Sequence, residues 1–216
     1  MKYLLFICAF YINELKAQKT YSIHYSQSWQ SSISINGQYQ KYEFRSRLVY
    51  NDTLSFYYQI PPDSKDKFKN DAVLGDKLIH HGLIYSRNSD EVLEEVAWPK
   101  KNYFVIVDTP RTYNWVFNRQ QKEILGYHCN LAYSVSGTND TTLVWYTNEL
   151  GVVFGPSFYF GLPGIVLEVF EQQYGRHYLA TKIEQASVTL VLPQHVKRIP
   201  VEKYRREKAQ ALREKN

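Results

Sequence analysis

The chain is 216 residues long, 44% hydrophobic, 16% aromatic and 22% charged, with a formal net charge of +5. That length suits one ordinary domain able to bury its own core. Two cysteines exclude a disulfide scaffold and a cysteine-rich zinc module, and ten glycines with eight prolines exclude a collagen-like or low-complexity chain.

Residues 1–18, MKYLLFICAFYINELKAQ, carry Lys2, an apolar run from Tyr3 to Ile12, and then Leu15-Lys16-Ala17-Gln18. A positive start, a short apolar run and a small residue at the cut point describe a secretory signal peptide, cleaved after Ala17 or Gln18. The run is shorter than the roughly 20 residues that cross a bilayer. No later stretch approaches that length, so the mature chain is expected to be periplasmic or secreted, with no transmembrane segment. Cleavage removes Cys8 and leaves Cys129 as a lone thiol, expected to be buried and inert.

Period-two alternation of β-branched and aromatic residues dominates the chain beyond residue 18, the pattern of half-buried strands. Tyr21, Ile23 and Tyr25 share one face of a first strand. Arg45 to Tyr50 and Leu54 to Ile60 flank Asn51-Asp52, a tight hairpin turn. Leu83 to Ser86, Glu91 to Trp98 and Tyr103 to Val107 are three more short strands, and Asn118 to Glu123 reads as a polar turn. Tyr127, Cys129, Leu131, Tyr133 and Val135 share a face opposite His128, Asn130, Ala132 and Ser134, and Thr142 to Thr147 returns as the partner strand. Ile165 to Phe170 and His177 to Ile183 form a further pair.

Short turns between strands argue an antiparallel arrangement rather than βαβ units. The fold class is therefore mainly β, an antiparallel meander over residues 19–199, and the layout's similarity to periplasmic lipoprotein carriers implies a single antiparallel curved sheet or half-barrel. Pro61 to Gly75, charged and rich in turn formers, is expected to be an exposed excursion. Residues 200–216 form a charged C-terminal helical tail without an apolar stripe. Its glutamates dilute the basic residues, so no nucleic-acid partner is expected.

Gly151 to Gly164, GVVFGPSFYFGLPG, holds four glycines and two prolines. Glycine and proline together build a defined, stiff loop. The apolar side chains Phe154, Phe158, Tyr159, Phe160 and Leu162 must then fold back onto the sheet or line a cavity. The expected binding residues are Phe154, Gly155, Pro156, Phe158, Phe160, Gly161, Leu162, Pro163, Gly164 and Glu168, with Tyr127, Trp145 and Tyr146 on neighbouring strands. A well-packed structural corner is the competing reading of the same loop.

Gly161-Leu162-Pro163-Gly164-Ile165-Val166-Leu167-Glu168 closely resembles the motif that names the GLPGLI family of exported Bacteroidetes proteins. Upstream, Ile124-Leu125-Gly126-Tyr127-His128-Cys129 resembles that family's I-x-G-Y-x-C segment. Trp145-Tyr146-Thr147 resembles its W-Y-T strand, and Gly155-Pro156 its G-P pair. The resemblance covers Trp115 to Ile183, departs from the motif at Ile165-Val166, and implies an envelope or secreted protein without implying an activity. More loosely, the layout is similar to the periplasmic lipoprotein carriers, whose curved half-barrel encloses a hydrophobic cavity.

Glu168 lies in an apolar strand, so it needs a cation or a backbone donor, and Arg176 and Lys182 are the nearest by sequence. The adjacent His80-His81 would point oppositely in a strand. No HExxH, Cys-x-x-Cys, Gly-x-Ser-x-Gly or phosphate-loop pattern occurs, so no metal, cofactor or catalytic residue is assigned. The expected function is a non-enzymatic envelope protein that binds an apolar ligand, a peptide or a partner protein. A secreted hydrolase or peptidase using Glu168 with a histidine is the alternative.

Overall fold

The computed structural model describes residues 19–35, 38–62, 64–66, 68, 71–74, 82–97, 103–137, 140–173, 175–194 and 196–213. The signal-like segment, His80-His81 and His195 lie outside these residues. The first half of the chain supplies β1 (Thr20–Ile35), β2 (Gln38–Tyr50), β3 (Leu54–Ile60), β4 (Val73–Leu74), β5 (Leu83–Ser86), β6 (Glu91–Ala97) and β7 (Tyr103–Asp108). The second supplies β8 (Val116–Ile124), β9 (Tyr127–Val135), β10 (Thr141–Thr147), β11 (Ile165–Glu171), β12 (Arg176–Ala186), β13 (Thr189–Leu190) and β14 (Arg198–Pro200). One helix among the described residues, α1 (Val201–Arg213), follows.

Twelve strands form one sheet, ordered β14-β7-β6-β5-β3-β2-β1-β12-β11-β10-β9-β8, and β13 pairs with β4 in parallel as a separate ribbon. The order joins two antiparallel meanders through β1 and β12, with β14 added parallel to β7. The sheet does not close, because β8 and β14 remain as its edges. It must nevertheless curl. β7 and β8 stand ten strand intervals apart, about 48 Å if flat. Residues 109–115 join them, and the chain from Asp108 to Val116 reaches at most about 29 Å. A deeply curved sheet reconciles the two lengths and leaves the crossover 109–115 running over the concave side.

Alternation sorts the core between the two faces. Ile23, Tyr25, Leu48, Tyr50, Tyr57, Tyr85 and Tyr178 belong to one buried cluster, and the loop residues Phe154, Tyr159, Phe160 and Leu162 join them. Their strand neighbours Val49, Phe56, Tyr58, Ile60, Ile84 and Leu93 form a second cluster on the convex side. Leu74, Leu190 and the partly buried Phe68 and Val188 close it. The segment after Pro61 is therefore partly a strap and not only an exposed excursion. Its Phe68 and Leu74 are apolar anchors spaced among charges, which conceals them in the sequence.

β8 corrects the polar turn expected at Asn118 to Glu123. Nearly every residue of this strand is exposed, because it forms the sheet edge, so no apolar alternation is required of it. Asn51 behaves as expected in the first hairpin: its side-chain oxygen accepts from the Thr53 and Leu54 amides at 3.0 and 2.8 Å. Only Val201 of α1 is buried, as a solvated tail requires.

Candidate functional site

The glycine-proline loop packs into the hollow of the sheet. Phe154 is 1% exposed and its ring meets those of Tyr50 and Tyr85, with centroids 6.1 and 5.9 Å apart. Phe160 lies 4.7 Å from Tyr85, and Leu162 is equally buried. The loop is tied back to its own strand, since the Val166 amide donates to the Phe154 carbonyl at 2.9 Å. Gly155 and Gly164 are buried where no Cβ fits: one built there would stand 2.2 Å from the Tyr159 and Thr147 carbonyl oxygens, respectively. Of the expected binding residues, Phe154, Gly155, Pro156, Phe160, Leu162, Gly164 and Tyr146 are buried. Gly161 and Pro163 are exposed, and Phe158 is half-buried beneath Arg111, 4.2 Å from its ring. Tyr127 packs half-buried against the same cluster.

Beyond this plug the concave face turns polar and aromatic. Tyr159 donates to Glu171 Oε1 at 2.5 Å, and Arg176 pairs with Glu171 Oε2 at 3.1 Å across β11 and β12. Burial, reinforced by Tyr178 and Glu171, pushes the Tyr159 hydroxyl far above its ordinary value, so it stays protonated and donates. Burial likewise lifts Tyr178 to about 12, with Arg176 pulling the other way. Desolvation is the largest influence on Arg176 and would lower its pKa, but Glu171, Tyr178 and Tyr159 together outweigh it and the pKa rises. Tyr113 of the crossover stacks on Tyr159 at 5.9 Å and on Trp115 at 4.7 Å. Trp115 Nε1 donates to the Phe160 carbonyl at 2.8 Å.

Two long strands carry this surface outward. Gln27 pairs with Phe44 and with Tyr178, and Trp29 pairs with Tyr42. One residue beyond the Ser28–His177 pair, Trp29 stands opposite Arg176, and Gly175 faces Gln30 in keeping with that register. Trp29 is 39% and Tyr42 40% exposed, yet the tryptophan is held edge-on by Tyr42 and Phe44 at 5.7 and 5.9 Å. Sequence reasoning missed Trp29, Tyr42 and Tyr113, and singled out Arg176 only as a partner for Glu168. The available signal was the alternation Tyr25, Gln27, Trp29, which carries the first strand's inward face two steps beyond Tyr25.

Glu168 sits on the convex side, since its neighbour Val169 is core. Its partners are not Arg176 and Lys182, which pair with Glu171 and Glu184. His177 Nε2 meets Glu168 Oε1 at 2.8 Å, and Lys122 holds the other oxygen while lying 4.4 Å over the Trp145 ring. Trp145 is the direct cross-strand partner of Glu168, so two expected residues do meet here. Beside His177, a groove of about 450 Å³ runs over Ser26, Ser28, Arg45 and Leu179. Among the described residues, no group of three or more His, Cys, Asp and Glu is arranged to hold a metal ion. Cys129 is buried, and desolvation raises its thiol to about 11, which keeps it un-ionised at neutral pH.

A second histidine–carboxylate pair shares the convex side. Glu184 accepts from Lys182 at 2.5 Å and meets His24 at 2.8 Å, and these bonds lower its carboxyl to about 2. A depressed carboxylate stabilises above its unfolded pKa and loses that contribution as pH falls through the folded one. The Tm difference between wild type and Glu184→Gln should therefore be level above about pH 4.5 and vanish near pH 2. It should be small, because the carboxylate is a third exposed. Melting curves at both pH values check it.

The fold and these faces define a class: an open, curled antiparallel sheet with its hollow plugged and, at its mouth, aromatic side chains that stay half-exposed among the described residues. Residues 95–206, more than half of the chain, match the model of the family described as N-glycanase peptide, N-terminal domain, and the chain belongs to that family. Two crystal forms of PNGF-II share the fold, with TM-scores of 0.63 and 0.58 at 20% and 19% identity. Each comparison covers 87% of this chain but 32% of the PNGF-II chain, so the present chain spans about a third of that protein. No curated protein matches it. No helix among the described residues is long and apolar enough to cross a membrane, which says nothing of a β-barrel.

Proposed function

We propose that the chain is an exported, non-enzymatic binding domain of the kind that stands in the N-terminal part of an N-glycanase, and that its ligand surface is the mouth of the concave face. One observation carries this reading. The loop and the crossover fill the hollow as far as Arg176, which Tyr159 reaches, and stop short of Trp29 and Tyr42, leaving these two rings 39% and 40% exposed. Preorganised aromatic groups with a few positioned polar ones are what binding sites share. A peptide or a partner protein, with or without its glycans, suits such a mouth. An apolar ligand suits it less, since Phe154, Phe160 and Leu162 already occupy the sheltered interior. Export is supported by the signal-like residues 1–18 and by the GLPGLI-like segment. Biolayer interferometry of the full chain against a model glycoprotein and its deglycosylated form tests the reading. Binding weakened by Arg176→Ala supports it; no binding to either form sinks it.

The Glu168–His177 contact at 2.8 Å favours a second reading, a hydrolase on the convex side. Glu168→Gln separates the two. The binding reading expects a loss of about 1 kcal/mol, read as a Tm lower by about 2–4 °C, with ligand binding intact. A hydrolase would instead lose turnover while keeping its Tm.

A further inference from the structure

We propose that the outer edge of β2, from Gln38 to Phe44, pairs with the same edge of a second copy of this chain, whatever the mouth binds.

β1 and β2 outrun their neighbours in the sheet. β12 follows β1 only from Thr20 to Ser28, and β3 follows β2 only from Tyr50 back to Arg45. The remainder, with Trp29 opposite Tyr42 and Ile35 opposite Gln38, projects as a two-stranded arm. Two strands alone are marginal in water and gain from a third. Exposed edges are ordinarily blunted against such pairing, and other free edges of this sheet show it. β8 shifts register between Phe117 and Gln121, where Asn118 Oδ1 accepts the Gln120 amide at 2.9 Å. β14 is three residues long and ends in Pro200. On the β1 side of the arm the register shifts between Gln30 and Ser34, so that extra residues of β1 face Gln40. The β2 side carries neither an extra residue nor a proline, and Tyr39 to Glu43 are all exposed.

Its backbone groups point the right way. Successive residues of a strand turn their amide and carbonyl alternately to the two neighbours. The Asn51 amide bonds the Leu54 carbonyl across the hairpin to β3, at 3.0 Å. Lys41 and Glu43 lie an even number of residues from Asn51, so theirs face the same side, beyond the point where β3 has ended.

Charge then selects the occupant. Lys41 and Glu43 stand 3.0 Å apart along the edge, both largely exposed. They would deter an arbitrary strand but not a copy of their own. In an antiparallel pair, outward-pointing residues must face outward-pointing residues, so the two-fold axis passes through a residue position. Centred on Tyr42, it sets Lys41 opposite Glu43 of the second copy and Glu43 opposite Lys41 of the second copy. Each of these pairs exchanges both of its backbone hydrogen bonds. One residue earlier, Lys41 would face Lys41; one later, Glu43 would face Glu43 and Lys41 would face Arg45. Like charges directly opposite are destabilising, which leaves the Tyr42 register. Its axis stands perpendicular to the sheet, so both concave faces lie on one side and the two mouths adjoin at Tyr42.

Sedimentation equilibrium of the full chain, carried to about 1 mM because the contact is small, tests this. A monomer–dimer equilibrium is expected. Lys41→Glu and Glu43→Lys should each weaken it at least tenfold, since each sets like charges opposite one another on both sides of the axis. An equimolar mixture of these two variants should dimerise again, and so should the double variant, because every facing pair is then opposite in sign. Circular dichroism melts check that the exposed substitutions leave the fold intact. A chain that stays monomeric overturns the proposal. A dimer unchanged in both single variants overturns its placement on β2, and weakening without recovery in the mixture overturns the register.

Discussion

Gly164→Ala and Gly155→Ala should each destabilise the chain by at least about 3 kcal/mol, or prevent folding outright. The cause is steric. A Cβ on Gly164 would stand 2.2 Å from the Thr147 carbonyl oxygen and 2.6 Å from its carbon, with Asn148 Oδ1 at 2.6 Å. Thr147 ends β10 inside the twelve-stranded sheet, so its carbonyl cannot retreat without breaking the ladder. On Gly155 the obstacle is the Tyr159 carbonyl oxygen at 2.2 Å, backed by Val166. The loop must then leave the hollow, and Phe154 and Phe160 leave with it. Gly137→Ala is the control: nothing lies within 4 Å of its would-be Cβ, and the change should be close to neutral. Urea unfolding read by near-ultraviolet circular dichroism should show the two loop variants shifted far below the control. Midpoints within about 0.5 kcal/mol of wild type would mean that the loop is not clamped as described.

The same two glycines mark the border of what a linear reading can reach. A stiff loop dense in aromatic residues is visible in Gly151 to Gly164, but whether it shelters a ligand or replaces one depends on how far the sheet curls. That curl follows from the pairing of β1 with β12, residues about 160 positions apart, which local alternation does not report. The largely buried strands β3 and β5, and β9 with its buried centre, stand in the pattern almost residue for residue. β8 does not, since an edge strand needs no apolar face. Glu168 and Trp145 can be singled out one at a time, yet Lys122 reaches them from a strand 46 residues away in sequence. Trp29 and Arg176 come onto neighbouring strands only because the two meanders are joined edge to edge. Elements are local and sites are not, which is why the strands were readable while the mouth was missed.

Asp66→Ala should cost about 3–5 kcal/mol, the range found when one member of a buried ion pair is removed. Asp66 lies in the strap after β3, and its Oδ2 is 3.2 Å from Arg47 Nη1 on β2. The Arg47 side chain is only 6% exposed. Its other partners are neutral: Nε donates to Ser22 Oγ at 2.5 Å, and Tyr58 OH stands 3.4 Å away. Burial, with Asp66 adding to it, pushes the Tyr58 hydroxyl well above its ordinary value, so the phenol supplies no negative charge. Removing Asp66 therefore strands a guanidinium against the convex core. It also releases the strap, because Asp66 Oδ1 accepts the Phe68 amide at 3.0 Å and Phe68 meets Tyr58 edge-on at 5.2 Å. Pairing the change with Arg47→Met discriminates between the two losses. If the stranded charge dominates, the double variant regains most of the stability; if the strap's anchor dominates, it does not. Chemical denaturation of the four members of that cycle gives the coupling energy. A single Asp66→Ala loss below about 1 kcal/mol would show that water reaches Arg47 and that the strap is not what seals the convex face.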